Sequence, residues 1–322
     1  MGLILRRAGQ GAFIVFVVAS LSFGLVHLAP GDPFLAAAEN SNLSDSVRTV
    51  WKERAGLDKP VREQYVRYLA NLARGDLGPS FSMHRPVADV LRDAVPNTLL
   101  LMGTSLVLSF ALGIAIGLVQ AKRADSRLDH AISTTTTVLA SLPPFWVGVV
   151  LMLCFAYWLP VFPVSGMVDA VQHPYMSGGR QLLDRLKHLV LPAATLTLMA
   201  APEIARYQRA ALLEVLPEDF IRTARAKGVS ERSVMSHHAL RNAFLPTITV
   251  FGLSFPTLLG GAVFVETVFA WPGMGVASLK ALEMRDYPLV IASVIVGSTL
   301  VVIGSLVADL LAAAADPRLR GE

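Results

Sequence analysis

Long apolar runs alternate with short polar segments along this chain. A helix needs about 20 mostly apolar residues to cross the hydrocarbon core of a bilayer. Six windows approach that requirement: 8–29, 95–121, 131–160, 188–206, 243–265 and 287–315. The first two contain no Asp, Glu, Lys or Arg. The fourth is short and is interrupted by Pro192, Pro202 and Glu203. The pattern predicts an all-α polytopic membrane protein with six transmembrane helices.

Composition agrees with that reading. Hydrophobic residues make up 53% of the chain and charged residues only 16%, which argues against a soluble domain. The net charge of +4 is mild. It points to basic loops on the cytoplasmic side rather than to a nucleic-acid partner.

Arg6 and Arg7 precede the first apolar run, which is longer than the core of a signal peptide. It is expected to stay as a helix, with the N-terminus in the cytoplasm. Six crossings then return the C-terminus to the same side. Basic residues favour this orientation. Lys122, Arg123 and Arg127 fall in one expected inner loop, and Arg206, Arg209, Arg222, Arg225, Lys227, Arg232 and Arg241 in another. The expected outer loops carry fewer: Arg180, Arg185 and Lys187 in one, Lys280 and Arg285 in the other. The resulting division is a first helix (1–30), an extracytoplasmic segment (31–94), a five-helix membrane domain (95–315) and a cytoplasmic tail (316–322). Within 31–94, Tyr65, Tyr68, Leu69 and Leu72 recur at helical spacing, predicting a small folded cap.

Ser105, Ser109, Gly113 and Gly117 recur every four residues in the second span. Small residues at that spacing let another helix backbone approach closely, within this chain or in a dimer. Pro143 and Pro144 fall in the third span and Pro192 and Pro202 in the fourth, where proline kinks a helix. Glu203, Glu266 and Asp309 lie near span ends, and structural pairing is expected for them rather than a proton relay. Cys154, the single cysteine, lies in an apolar run and is expected to pack.

A polar island separates the fourth and fifth apolar windows. Pro217 suits a first helical position. Glu218 and Asp219 complement the positive end of a helix dipole, and Arg222, Arg225 and Lys227 its negative end. Gly228 can adopt the left-handed conformation that stops a helix. A helix over 217–227 is therefore expected. Ser230 can cap a second one from Glu231 to about Asn242, before Pro246. Phe220, Ile221, Ala224 and Val234 give the island an apolar side.

These residues resemble the cytoplasmic loop of ABC importer permeases, whose pattern is Glu-Ala-Ala, three residues, Gly, nine residues, Ile, one residue, Leu-Pro. Aligned on Gly228, Ala224 and Leu240 match, whereas Arg222, Thr223, His238 and Arg241 depart. The wording RTARAKG…HALRNAFLP is similar to the dipeptide, oligopeptide and nickel branch. So are APGDP at 29–33, GLDKP at 56–60, GDLGPSF at 75–81, SLPPFWVG at 141–148, FAWPGMG at 269–275 and DPRLR at 316–320.

The resemblance implies a type I ABC importer permease fold, with a cytoplasmic coupling loop over 206–245. It implies four partners besides the lipid bilayer: a second homologous permease, two cytoplasmic ABC ATPase subunits and an extracytoplasmic solute-binding protein. Glu218, Phe220, Ala224, Arg225, Lys227, Gly228 and Leu240 would couple to an ATPase. The implied cargo is a peptide, with nickel chelates, glutathione or another small solute as alternatives. An ion-coupled secondary transporter is the reading of a different class.

The chain has no Gly-Lys pair, so it lacks a phosphate-cradling loop. ATP and Mg are expected on the partner subunits, with no cofactor and no catalytic residue here. Ser177-Gly178-Gly179-Arg180-Gln181 echoes an ABC ATPase signature but lacks its structural context. Adjacent His237 and His238 point in different directions on a helix, so no metal site is expected.

Overall fold

The computed structural model describes residues 2–28 and 59–315. The part of the expected cap before residue 59 and the tail 316–322 lie outside them. The described residues form two units, one comprising residues up to Thr98 with Pro272–Ile303, the other Leu99–Trp271 with the chain from Gly304 onward.

In the first unit, α1 (Gly2–Leu28) is apolar along most of its length. Helix α2 (Val61–Ala73) lies against it. Tyr65 shares a hydrogen bond with Ser20 at 2.6 Å, and Tyr68 donates to the Ala19 carbonyl at 3.3 Å. Phe23 packs on both tyrosine rings, each centroid 5.3 Å away. The expected helical cap is therefore seated on the first apolar helix, with Tyr68 and Leu72 packed against Ala19, Val26, Ile291 and Ile295. A two-residue antiparallel ladder follows, β1 (Pro79–Ser80) with β2 (Arg85–Pro86). It leads into α3 (Val87–Lys122), which continues into the second unit.

The second unit is built around α6 (Gly178–Val215), which packs on α4 (Arg127–Ser141), α5 (Pro144–Met152) and α9 (Leu240–Val268). Its core gathers Leu101, Leu106, Leu196, Leu258, Val265, Phe269 and Trp271. Gly113 and Gly117 of α3 allow close approach to α6. A Cβ at Gly113 would lie 2.7 Å from the Ile204 Cβ, and one at Gly117 2.8 Å from the Ala205 carbonyl oxygen. Ser105 and Ser109 are fully buried on α3 and donate to carbonyls one turn back, at 2.7 and 2.6 Å.

Several boundaries differ from the expectations. The fourth window is part of one 38-residue helix that contains Pro192 and Pro202. Arg180, Arg185 and Lys187 belong to its first turns rather than to a loop, and Arg206 and Arg209 to its last. Both prolines are buried within the helix, where packed neighbours hold the chain in register. The third window breaks instead of bending gently. Pro143 is extended with ψ of 136° and Pro144 opens α5. The α4 axis and the stretch Pro144–Trp158 diverge by 102°. The reason is local, because a residue before proline is driven out of the helical region.

Among the described residues four helices are long and apolar enough to cross a membrane: Arg6–Leu28, Val87–Lys122, Gly178–Val215 and Tyr287–Leu311. A fifth is added if the bent pair counts as one span. Helix α9 covers the remaining window, with Ser254–Val268 as its apolar part. The chain is thus a polytopic helical membrane protein.

A short helix and a long one complete the described residues. Helix α10 (Met274–Glu283) precedes α11 (Tyr287–Ala315), and its start is fixed to α3. The Met274 amide donates to the Thr98 hydroxyl and the Asn97 side chain to the Pro272 carbonyl, both at 2.8 Å.

Candidate functional site

The polar island forms a helix–turn–helix next to the end of α6. Helix α7 spans Asp219–Ala226, so it starts two residues later than expected. Pro217 lies outside it, and Glu218 holds the extended N-cap position with ψ of 148°. The end of α7 matches the expectation. Gly228 has φ of +77°, a conformation that costs a residue with a Cβ. Its amide donates to the Arg225 carbonyl at 3.0 Å, and the Val229 amide to the Ala224 carbonyl at 3.2 Å. This pair of bonds is a Schellman motif. Val229 and Ala224 lie in the same apolar cluster, the contact that accompanies such a stop.

The second helix departs further from the expectation. Ser230 occupies the N-cap position, but its side chain makes no capping bond. Helix α8 (Glu231–Ser233) passes into a π-helical stretch, Val234–Ala239, and then directly into α9. No break occurs before residue 246. Apolar packing of Val234, Met235 and Ala239 holds this stretch against α6 and α7.

Helix α7 divides into two faces. Ile221 and Ala224 are buried in a cluster with Ala121 of α3, Ala211 and Leu212 of α6, and Ala243 of α9. Phe220 is 42% exposed at the edge of that face, with Arg222, Arg225 and Lys227 also exposed. The expected apolar side is therefore only partly covered, since Phe220, one turn before Ala224, stays exposed at its edge. Of the seven residues singled out for coupling, Glu218, Phe220, Arg225, Lys227 and Gly228 are exposed. Ala224 is buried and Leu240 is half-buried.

One feature escaped the sequence reading. Arg225 donates twice to Glu231 across the Gly228 turn, through Nε at 3.1 Å and Nη2 at 2.8 Å. The guanidinium bonds hold the Glu231 carboxyl below its ordinary range, against a smaller opposing effect of desolvation. Opposite charges flanking a helix-stopping glycine are the only local signal. His237 shares a hydrogen bond with Ser236 at 2.9 Å. Among the described residues no three His, Cys, Asp or Glu side chains gather as a metal site.

The surroundings of the other singled-out carboxylates vary. Glu266 is fully buried in α9, Asp309 half-buried in α11 and Glu203 exposed on α6.

The described residues thus form a multi-span helical membrane protein with an amphipathic helix beside its longest span. The profile of the family described as "Binding-protein-dependent transport system inner membrane component" matches residues 113–321. The N-terminal profile of the same kind of membrane component matches residues 1–102. Similar proteins include the oligopeptide transport system permease protein AppB of Bacillus subtilis, 38% identical over 98% of both chains. The di/tripeptide transport system permease protein DppB of Pseudomonas aeruginosa is 38% identical over 99% of both. The dipeptide transport system permease protein DppB of Escherichia coli K12 is 35% identical over 98% of both. The chain belongs to the family of inner membrane components of binding-protein-dependent transport systems, and resides in the bacterial plasma membrane.

Proposed function

We propose that this chain is the permease subunit of an ATP-binding-cassette importer for di- and oligopeptides, and that α7 is its coupling helix. The peptide assignment rests on the full-length similarity to permeases named for oligopeptide, di/tripeptide and dipeptide transport. The coupling assignment rests on one observation. Helix α7 buries Ile221 and Ala224 in the membrane domain while presenting Phe220 and three basic residues outward. An exposed aromatic with a cationic rim is the composition of an interface anchor.

In this reading six helices span the bilayer, with both termini in the cytoplasm. The chain forms half of the path, and a second homologous permease forms the other half. Two cytoplasmic ATPase subunits bind ATP and Mg and drive the cycle, and an extracytoplasmic binding protein delivers the peptide. Phe220, with Glu218, Arg225 and Lys227 around it, docks in an ATPase groove. Gly228 sets the angle of the outgoing chain.

Phe220→Asp tests this. The side chain is exposed, so insertion should be preserved while co-purification of the ATPase subunit is lost. Retained co-purification would refute the docking role. Uptake of a labelled tripeptide into vesicles should need ATP. Uptake that runs without ATP and collapses with an uncoupler would assign the chain to ion-coupled transport instead.

A further inference from the structure

The seat of α7 is roofed by a layer of buried polar contacts that ties four helices together. Two consecutive residues of α6 reach in different directions. Arg209 donates twice to Asp129 of α4, through Nε at 2.9 Å and Nη2 at 2.6 Å. Asp129 is 2% exposed. It also accepts from the Gln120 side chain of α3 and from the Asp125 amide, both at 3.0 Å. Gln208 is fully buried and joins α6 to α9. It accepts from the Thr247 hydroxyl at 2.8 Å and donates to the Ala243 carbonyl at 3.4 Å. Gly117 of α3 closes the layer from the remaining side, since a Cβ there would lie 2.8 Å from the Gln208 Cβ and 3.1 Å from the Arg209 amide nitrogen.

This layer borders the apolar seat directly. Ala121 follows Gln120 on α3, Ala211 and Leu212 follow Arg209 on α6, and Ala243 is the acceptor for Gln208. All four are members of the cluster that receives Ile221 and Ala224 of α7. A displacement of α7 therefore bears on a cluster that holds the neighbour of Gln120, residues two and three beyond Arg209, and the Ala243 acceptor itself.

The physical consequence is stiffness with direction. Apolar contacts depend on area and fit rather than on one donor meeting one acceptor. A two-pronged guanidinium–carboxylate pair and a buried amide bond resist displacement, because each requires specific positions and leaves a desolvated group behind when broken. Buried ion pairs add little net stability compared with apolar residues of like volume. Their presence here is better accounted for by what they fix than by how much they stabilise.

We infer that Asp129, Arg209, Gln208 and Thr247 form a cross-brace, a set of positioning residues that makes α3, α4, α6 and α9 move as one body when α7 is displaced. This rests on the coupling role proposed for α7.

Hydrogen exchange of the complete transporter, compared with and without ATP, tests the inference without needing to know the cargo. In the wild type, ATP should change exchange both at α7 and at the start of α4, residues 127–133. In the double variant Asp129→Leu with Arg209→Met, the apolar pair replaces the ions without stranding a charge. The ATP response should persist at α7 and fall about fivefold or more at α4. An undiminished α4 response in that variant would overturn the brace. Thr247→Val is a mild second variant that removes one hydroxyl, with its bond to Gln208 at 2.8 Å and its longer contact to the Ala243 carbonyl at 3.5 Å. It should reduce the response of α9 around residues 243–250 by about twofold, and an unchanged response there would count against the brace even if the double variant failed to assemble. Arg209→Lys keeps the charge but loses the two-pronged geometry, and should restore part of the α4 response. Absence of any ATP response at α7 in the wild type would refute the docking role, and the brace with it.

Discussion

Two turns in this protein share one backbone geometry and are held in opposite ways. The turn after α7 stops at Gly228, with φ of +77°. The turn after α10 stops at Arg285, with φ of +56°. In both, the next amide reaches back five residues, Val229 to Ala224 at 3.2 Å and Asp286 to Ala281 at 2.7 Å. The first turn uses a residue suited to the conformation. Its side-chain support, the Arg225–Glu231 pair, is exposed on both partners. The second turn uses an unsuited residue and is held by a buried carboxylate. Asp286 is fully buried. It accepts from the Ser80 hydroxyl at 2.5 Å, from the Ser82 hydroxyl at 2.7 Å and from the Ser82 amide at 2.9 Å. It also caps α11 through the Leu289 amide at 3.4 Å. The glycine turn is supported locally by an exposed ion pair, whereas the Asp286 turn is anchored to a segment distant in sequence.

The contrast can be broken most severely at Asp286. Asp286→Ala strands the buried Ser80 hydroxyl, the half-buried Ser82 hydroxyl and two amides, and should lower stability by about 3 kcal/mol. Thermal unfolding of the purified permease in detergent measures this, and a change below about 1 kcal/mol would show that the carboxylate is not the anchor. Gly228→Val tests the other turn. A β-branched residue in the left-handed region costs about 1–3 kcal/mol, and the distorted turn should reduce uptake far more than it reduces membrane insertion. Uptake equal to wild type would remove the angle-setting role.

Smaller changes sharpen the comparison. Arg285→Gly relieves the left-handed strain and should stabilise by up to about 1 kcal/mol. A loss in the same thermal measurement would mean that the arginine side chain contributes more than its backbone costs. Glu231→Gln removes the exposed ion pair and should cost about 0.2–1 kcal/mol. The pH dependence has a definite sign. The Glu231 carboxyl is held below its ordinary value of 4.5 by Arg225. Its contribution is therefore present above that value and is lost as pH falls through the lowered folded-state value. The wild type should lose this increment on acidification, and Glu231→Gln should not. Equal acid sensitivity in the two would exclude the pair as its source.

Much of the membrane architecture was legible in the sequence because it depends on local composition. Span 287–315 coincides with α11, and the charge-free stretches 8–29 and 95–121 lie largely within α1 and α3. The extended residue Pro143 and the left-handed Gly228 follow from backbone sterics that operate within a few residues. The limits of α6 and α9 were not legible. Polar residues at both ends of α6 read as loops, since periodicity does not show whether a charged turn is held in a helix by its neighbours. The π-helical stretch Val234–Ala239 likewise carries no local mark.

The sequence by itself determined which segments are apolar, where proline and glycine stop them, and that a charged amphipathic helix lies between two spans. Tertiary structure alone decided which face of α7 is buried and what each buried carboxylate holds. Asp129 meets Arg209 from 80 residues away, and Asp286 meets Ser80 from 206 residues away. Apolar burial depends on amount and period, which a short window records. A buried polar bond depends on one donor meeting one acceptor within about 3 Å, and only the folded chain brings such partners together.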